Sequence, residues 1–161
     1  MKGKISVLFV CLGNICRSPL AEEVFRRYVE SMGDSDLFNI DSAGTSGYHD
    51  GELPDRRMIE NARKRGYELT HRSRRVIYKD FEDFDYIIAM DDSNVDNLKK
   101  MAATLDEVRK ISKITSFCST LSIDYIPDPY FGGSEGFNYV IDLVEEIVPY
   151  LYRHIKESNN H

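Results

Sequence analysis

Eight consecutive residues near the N-terminus, CLGNICRS from Cys11 to Ser18, place a thiol, an arginine and a hydroxyl at the spacing C-x5-R-S. A loop of this length that leads into a helix can turn successive backbone N–H groups inward as an anion nest, and the helix N-terminus adds partial positive charge. Gly13 permits a backbone conformation that other residues resist, and the planar guanidinium of Arg17 can bind two phosphate oxygens. The spacing therefore predicts an oxyanion cup with the Cys11 sulfur beneath it, in line for attack on phosphorus.

The same loop indicates how the thiol would become reactive. Positive charge at a helix N-terminus and on a neighbouring Arg17 favours the thiolate of Cys11 over its thiol. Ser18 could donate a hydrogen bond to this sulfur, which would help it first as nucleophile and later as leaving group.

Taken alone, these residues leave other interpretations of Cys11 open. A cysteine after a buried strand is most often a small core residue, and C-x5-R-S fixes only three positions. The nucleotide motifs G-x-G-x-x-G and G-x4-G-K-[ST] are absent, and there is no C-x-x-C of a disulfide oxidoreductase. Cys11 and Cys16 with four scattered histidines do not make a zinc site, so we expect no metal.

Strand and helix patterns alternate along the chain and explain how the loop would be positioned. The apolar run from Ile5 to Val10 predicts a strand buried on both faces of a parallel sheet. Later segments predict three more strands, each next to a helical pattern, and Pro149 should kink or divide the last helix. The strand segments are FNIDSAG, FDYIIAM and the weaker RKISKITSF.

Parallel strands bring their carboxyl ends to one edge of the sheet, where ligands bind in such folds. Cys11, Ser42 and Asp91 each lie at or near the end of a predicted strand. We therefore expect three loops that are distant in sequence to share one rim.

Length and composition define the class of protein. The 161 residues suffice for one domain, 1–161, and the net charge of -6 argues against broad nucleic-acid binding. No apolar stretch is long enough to cross a bilayer, and the N-terminal apolar run continues directly into CLGN, as a strand rather than a signal peptide would. Three cysteines are an odd number for a secreted disulfide scaffold, which favours a cytoplasmic protein, with export without a classical signal left open.

VLFVCLGNICRSPLAE resembles the signature of the low-molecular-weight protein tyrosine phosphatases, and DSAGTSGYH, THRSRR, FDYIIAMDDSN and PDPYFGG resemble family segments in family order. The resemblance covers essentially the whole chain. It implies an α/β three-layer αβα sandwich with a four-stranded parallel sheet of phosphatase I-like, flavodoxin-like winding. It also implies hydrolysis of phosphotyrosine through a cysteinyl-phosphate at Cys11, without cofactor.

The resemblance assigns roles to further residues. Asp128, between two prolines that restrict its backbone, would be the general acid and then the general base. Ile15, Tyr48 and Tyr130 would line an apolar slot that suits a phenyl ring. Phosphate would be bound by Arg17 and the amides of the loop, namely Leu12, Gly13, Asn14, Ile15, Cys16, Arg17 and Ser18.

A supporting network is also implied. Asn14, Ser18, Ser42 and His71 match family positions that hold the phosphate loop in shape, and Asp91 matches an acid near the site. For His71 a surface position is the simpler interpretation, and for Asp91 a helix N-cap is an equally strong one.

By resemblance, Cys16 would form a reversible disulfide with Cys11 under oxidation.

Two positions depart from the family pattern. Phe131 stands where many members have a second tyrosine, which puts tandem tyrosine phosphorylation in doubt. Tyr48 replaces a tryptophan found in many members, so we expect a different peptide preference.

Rival functions stay open on the same fold. An arsenate reductase of the thioredoxin-linked type needs two further cysteines, and only Cys118 remains. Phosphoarginine phosphatases usually carry Thr at the position of Ile15, so Ile favours tyrosine. A non-catalytic phosphoprotein-binding module would lack Cys11, Arg17 or Asp128.

Expected partners are phosphotyrosine proteins and inorganic phosphate or other oxyanions, with neither nucleic acid nor membrane. We expect a monomer, and a weak dimer stays open.

Overall fold

Ten strands and helices follow one another in a computed structural model that describes residues 3–130 and 132–159. Two short 3-10 helices, Ser35–Leu37 and Ile114–Phe117, complete the secondary structure of these residues. The strands are β1 (Ile5–Cys11), β2 (Phe38–Gly44), β3 (Tyr86–Ala89) and β4 (Ile111–Lys113). The helices are α1 (Arg17–Ser31), α2 (Arg56–Arg63), α3 (Lys79–Asp83), α4 (Asp92–Met101), α5 (Leu105–Arg109) and α6 (Ser134–Ser158).

The four strands form one parallel sheet in the order β2-β1-β3-β4. This confirms the predicted four-stranded α/β fold and its flavodoxin-like winding. β1 lies in the interior of the sheet, and all seven of its residues are buried. Its register with β2 runs without interruption from the pair Ile5–Phe38 to the pair Cys11–Gly44. The chain therefore leaves the sheet at Cys11 from its best-buried strand.

Helices cover both faces of the sheet, because β1 alternates its side chains between two hydrophobic cores. Phe9 and Cys11 belong to the larger core, which α1, α2 and α6 cover. Leu8 and Val10 belong to the smaller core, together with residues of α3, α4 and β3. This produces the three layers that the sequence predicts.

The sequence predicts that Pro149 kinks or divides the last helix, and the structure contradicts the division. α6 is a single helix of 25 residues with Pro149 inside it, so proline does not divide it. A proline in a helix interior costs about 3 kcal/mol or more. The apolar stripe of α6, which includes Val144, Val148 and Leu151, is buried against α1 and α2, and this packing offsets the missing hydrogen bond. Among the residues that the structure describes, neither α6 nor any other helix has the length and apolar character to span a membrane.

Candidate active site

A cavity of about 430 Å³ opens at the carboxyl end of β1. It collects residues from the phosphate loop (11–18), from the loop after β2 and from the segment before α6. Of the three residues predicted to share this rim, Cys11 lines the cavity, whereas Ser42 and Asp91 contact the loop at Asn14 and Arg17 without lining the cavity. Its lining consists of Cys11, Leu12, Gly13, Ile15, Cys16, Arg17, Ser46, Tyr48, His49, Asp128 and Tyr130.

The carbonyl oxygens of the phosphate loop are bonded from outside by neighbouring segments. We infer that the opposite side of the loop presents N–H groups to the cavity, as the amide of Asn14 does when it donates to the Cys11 sulfur at 3.3 Å. The outer bonds run from Thr45 N to Cys11 O, Ser46 N to Leu12 O, Ser73 Oγ to Gly13 O and Asp55 N to Ile15 O, at 2.7–2.9 Å.

Gly44 permits the close approach of β2 to this loop. A Cβ at this position would lie 2.7 Å from the carbonyl oxygen of Leu12 and 3.1 Å from the backbone nitrogen of Asn14. Both contacts are with backbone, which cannot move aside as a flexible side chain would. A glycine is therefore required where β2 supports the loop.

The Cys11 sulfur is buried and bonded on two sides. The Ser18 hydroxyl lies 3.0 Å from it, in addition to the amide of Asn14. The Ser18 oxygen itself accepts a hydrogen bond from Asn14 Nδ2 at 2.8 Å. The Ser18 proton has two acceptors within reach, the Cys11 sulfur at 3.0 Å and the Ala43 carbonyl at 3.4 Å. When the proton points at the sulfur, the Ser18 hydroxyl and the Asn14 amide both stabilise negative charge there.

Asn14 adopts a left-handed backbone conformation, with φ of 56°, and its side chain is fully buried. Its Nδ2 donates to Ser18 and, at 3.0 Å, to Ser42 Oγ. Its Oδ1 accepts from His71 Nε2 at 2.8 Å and from the backbone N–H of Arg74 at 3.1 Å. These four bonds stabilise a conformation that few non-glycine residues adopt. They bring together the predicted supporting residues, although their functional roles stay a prediction.

Glu22, which the sequence interpretation missed, lies behind this network. Its Oε1 accepts from Ser42 Oγ at 2.6 Å and lies 3.3 Å from His71 Nδ1, while its Oε2 accepts from Arg26 at 2.7 Å. In the sequence Glu22 is an ordinary acid in the first turns of a helix, and no local signal marks it. His71 is largely buried, and because Asn14 Oδ1 is an acceptor, the network assigns a proton to His71 Nε2.

Glu22, His71 and Asp41 are also a group whose ligand-type atoms lie within 4.8 Å of one another, among the described residues. Their atoms already have partners within the protein: Asp41 Oδ2 accepts from Arg74, and both oxygens of Glu22 are bonded. With two arginines compensating the acids, the group is a hydrogen-bond network of the protein rather than a set of free metal ligands.

Arg17 is a buried cation with three neighbours at the base of the cavity. Its Nη1 donates to Asp91 Oδ2 at 2.7 Å and to the carbonyl of Ile126 at 2.9 Å, and its Nη2 lies 3.6 Å from Asp128 Oδ2. Burial opposes the charge, but the attraction of Cys11 and the hydrogen bond to Asp91 outweigh it and raise the pKa of Arg17. Asp91 also accepts from Asn94 N at 2.8 Å, so it caps α4 as well.

Asp128 lies at the mouth of the cavity, and its side chain is 39% exposed, compared with 3% for Arg17. Its Oδ1 accepts from the backbone N–H of Tyr130 at 3.0 Å, and its Oδ2 faces Arg17. The carboxyl group is thus oriented by a hydrogen bond on one oxygen and a longer ion-pair contact on the other, while it stays in contact with solvent.

The predicted apolar walls differ from one another in depth. Ile15 is buried, Tyr130 is 36% exposed and Tyr48 is 85% exposed, so Tyr48 forms the rim of the cavity rather than a deep wall. His49, which the sequence interpretation missed, lies between the two tyrosines, with ring centroids 4.9 Å from Tyr48 and 6.1 Å from Tyr130. Its position next to Tyr48 in a polar loop was the available signal. Phe131 lies outside the described residues.

Cys16 lines the same cavity as Cys11, and both are reduced and buried. Burial, followed by the negative charges of Asp55 and Cys11, raises the pKa of Cys16 above that of an ordinary thiol. Cys118 is buried elsewhere, with its sulfur 3.2 Å from Thr120 Oγ1.

Comparison with known sequences places the chain among phosphatases. A sequence model of the family described as low molecular weight phosphotyrosine protein phosphatase matches residues 6–161. The chain is 44% identical over 147 residues to the low molecular weight phosphotyrosine protein phosphatase of Schizosaccharomyces pombe, covering 90% of this chain and 94% of the relative.

Solved structures give the same picture. A protein tyrosine phosphatase from Entamoeba histolytica, with Hepes in its active site, superimposes with a TM-score of 0.93 at 40% identity, over 97% of this chain and 99% of the other. DARP, a Drosophila arginine phosphatase, superimposes with a TM-score of 0.87 at 36% identity, over 93% of this chain and 97% of the other.

The close approach at Gly44 leads to a test of the loop. Gly44→Ala should lower the free energy of unfolding by about 1–3 kcal/mol, because its Cβ must displace the Leu12 carbonyl. It should also weaken binding of inorganic phosphate. Urea denaturation and phosphate titration measure the two effects, with Gly3→Ala as the matched control, since a Cβ at Gly3 meets nothing within 4 Å. Equal behaviour of the two variants would contradict the role of Gly44.

Proposed function

Because the chain belongs to the low molecular weight phosphotyrosine protein phosphatase family and is therefore a phosphoric monoester hydrolase, we propose that it removes phosphate from phosphotyrosine in proteins through a cysteinyl-phosphate on Cys11. The observation that carries the proposal is the Cys11 sulfur, bonded by Asn14 N and the Ser18 hydroxyl, in one cavity with Arg17 and Asp128.

In the first step the phosphate dianion enters the loop and its non-bridging oxygens bind Arg17 and the amides of residues 12–18. The Cys11 thiolate attacks phosphorus and forms the S–P bond as the P–O bond to the tyrosyl oxygen breaks. Asp128 donates its proton to that oxygen, so tyrosine leaves as the neutral phenol. Its position at the cavity mouth suits a proton donor to a leaving group that points outward.

In the second step water attacks phosphorus on the face that the phenol has left. Asp128, now a carboxylate, takes a proton from this water, and the S–P bond breaks to release inorganic phosphate. The sulfur leaves as a thiolate, and the Ser18 hydroxyl and Asn14 amide stabilise the charge that returns to it. The cycle needs no electron transfer, and the proton that Asp128 takes from water replaces the one that left with the phenol.

The cavity walls favour an aryl substrate. Ile15, Tyr130 and the rim residue Tyr48 offer apolar and aromatic surface to a phenyl ring, and a short phosphoserine would not reach the cup past them. The likeness to an arginine phosphatase supports phosphoarginine as a second candidate. Ile15 has no hydroxyl to bond a guanidinium nitrogen, so phosphotyrosine is the better fit.

We further propose that Cys16 protects the nucleophile from irreversible oxidation. A peroxide would convert the Cys11 thiolate to a sulfenic acid. The Cys16 sulfur would then attack the Cys11 sulfur, expel the hydroxyl group as water with the Cys16 proton, and close a disulfide that a thiol reductant reopens. The negative charge on Cys11 is one of the causes that raise the pKa of Cys16. Oxidation of Cys11 to a neutral sulfenic acid removes this charge, and with it that contribution to the raised pKa of Cys16.

The mechanism predicts different losses for the two principal residues. Cys11→Ser should abolish turnover of p-nitrophenyl phosphate, with EDTA present throughout, and still bind inorganic phosphate. Asp128→Asn should keep phosphate affinity and lose about 10²-fold or more in kcat/KM for phenyl phosphate, with a smaller loss for p-nitrophenyl phosphate, whose leaving group needs less protonation. Turnover by purified Cys11→Ser would overturn the mechanism.

Substrate class is tested with three peptides of one sequence that carry phosphotyrosine, phosphoarginine or phosphoserine. We expect phosphotyrosine to have the highest kcat/KM. Ile15→Thr should shift the ratio toward phosphoarginine, because it removes apolar wall and adds a hydroxyl. Preference of the unchanged protein for phosphoarginine would instead support the second candidate.

The protective role of Cys16 is tested with Cys16→Ser. Peroxide should inactivate both proteins, and dithiothreitol should restore activity fully in the unchanged protein but only in small part in the variant. Cys118→Ser, outside the cavity, is the matched control. Full recovery of Cys16→Ser would show that Cys16 does not act as the resolving thiol.

A further inference from the structure

Asp55, the N-cap of α2, and Arg57, in the first turn of α2, connect the phosphate loop to the segment that carries Asp128. The backbone N–H of Asp55 donates to the carbonyl of Ile15 in the phosphate loop at 2.7 Å. The Asp55 carboxylate accepts from Arg57 Nε at 3.0 Å and from Arg57 Nη2 at 2.9 Å, a two-pronged ion pair. The hydrogen bonds from Arg57 hold the pKa of Asp55 below its ordinary value, which keeps the carboxylate charged.

The Arg57 guanidinium also bonds the segment after Asp128. Nη2 donates to the carbonyl of Tyr130 at 2.7 Å, and Nη1 donates to the carbonyl of Gly132 at 3.1 Å. The guanidinium carbon also lies 4.7 Å from the ring centre of Phe137 and 5.7 Å from that of Tyr130. Phe137 is fully buried in the first turns of α6, so it provides a rigid surface for the cation.

Tyr130 passes this constraint to Asp128. Its carbonyl is held by Arg57, and its N–H donates to Asp128 Oδ1 at 3.0 Å. Among the described residues, the other carboxyl oxygen of Asp128 has the longer, 3.6 Å contact with Arg17, and phosphate would compete for that cation. The Tyr130 amide is therefore the bond that orients the carboxyl group when substrate is bound.

We propose that Arg57, aligned by Asp55, is a positioning residue for the general acid Asp128. It acts through the Tyr130 backbone and does not contact the reacting atoms. The proposal rests on the proposed role of Asp128. A displacement of about 1 Å in a catalytic group can cost about 10²-fold in rate. Because Arg57 positions Asp128 and not the phosphate loop, its loss should affect the proton-transfer step more than phosphate binding.

The test compares Arg57→Gln with Arg63→Gln, a matched change on the same helix whose arginine pairs with Glu68 at the surface. Arg57→Gln should lower kcat/KM for phenyl phosphate about tenfold and for p-nitrophenyl phosphate less than about threefold, with the inhibition constant of inorganic phosphate unchanged. Arg63→Gln should leave all three values unchanged.

Two further variants separate positioning from folding and from failure of the acid assignment. Asp55→Asn keeps a good N-cap for α2 while it removes the charge that aligns Arg57, and it should show the same dependence on leaving group. In the Asp128→Asn background, Arg57→Gln should have no further effect on phenyl phosphate, because the group that it positions is already lost.

The outcomes distinguish the two proposals. If Asp128→Asn shows no dependence on leaving group, the assignment of the acid fails, whatever Arg57 does. If the loss in Asp128→Asn depends on the leaving group but the losses in Arg57→Gln and Asp55→Asn do not, the positioning role alone is overturned. Equal loss on both substrates with weakened phosphate inhibition, or an additive effect in the Asp128→Asn background, would also overturn the positioning role, because Arg57 would then support the phosphate loop.

Discussion

The left-handed backbone at Asn14 is the constraint on which the site depends. A non-glycine residue resists this conformation. At Asn14, however, the conformation turns the phosphate loop so that the backbone N–H of Asn14 points at the Cys11 sulfur. Four bonds to the buried amide side chain stabilise it, and they come from α1, from β2 and from the segment after α2. The loop thus obtains its shape from its own last residue, Ser18, and from two distant parts of the chain. In return, those parts are tied to one another at the edge of the sheet.

Charge balance is the second requirement of such a cup, since it must be positive enough to hold phosphate without carrying an uncompensated buried cation. Arg17 is almost wholly buried, and the Asp91 carboxylate bonds one side of its guanidinium. This leaves the other nitrogen toward Asp128 and the cavity. Asp91 is itself anchored by the first turn of α4, so the counter-charge cannot follow the arginine toward a ligand.

Local pattern and chemistry explain why some features could be predicted and others could not. The predicted segments of β1 and β2 match the strands closely, because continuous apolar runs and flanking turn residues mark them. Cys11, Arg17 and Asp128 do share one cavity, as family resemblance and strand topology imply. Glu22 and Arg57 were missed because their partners are remote in sequence: Arg57 meets Tyr130 across 73 positions. The continuity of α6 through Pro149 likewise follows from packing that no local pattern reveals.

The uninterrupted register between β1 and β2 has a consequence for how the chain can vary in length. Gly44 lies opposite Cys11 because every pair from Ile5–Phe38 onward is in step. Inserting or deleting one residue within β2 would exchange its two faces and place a neighbour of Gly44, with its Cβ, against the Leu12 carbonyl. Homologues should therefore keep β2 constant in length and gather their insertions in connections such as 45–54, whose ends the sheet and α2 hold in place.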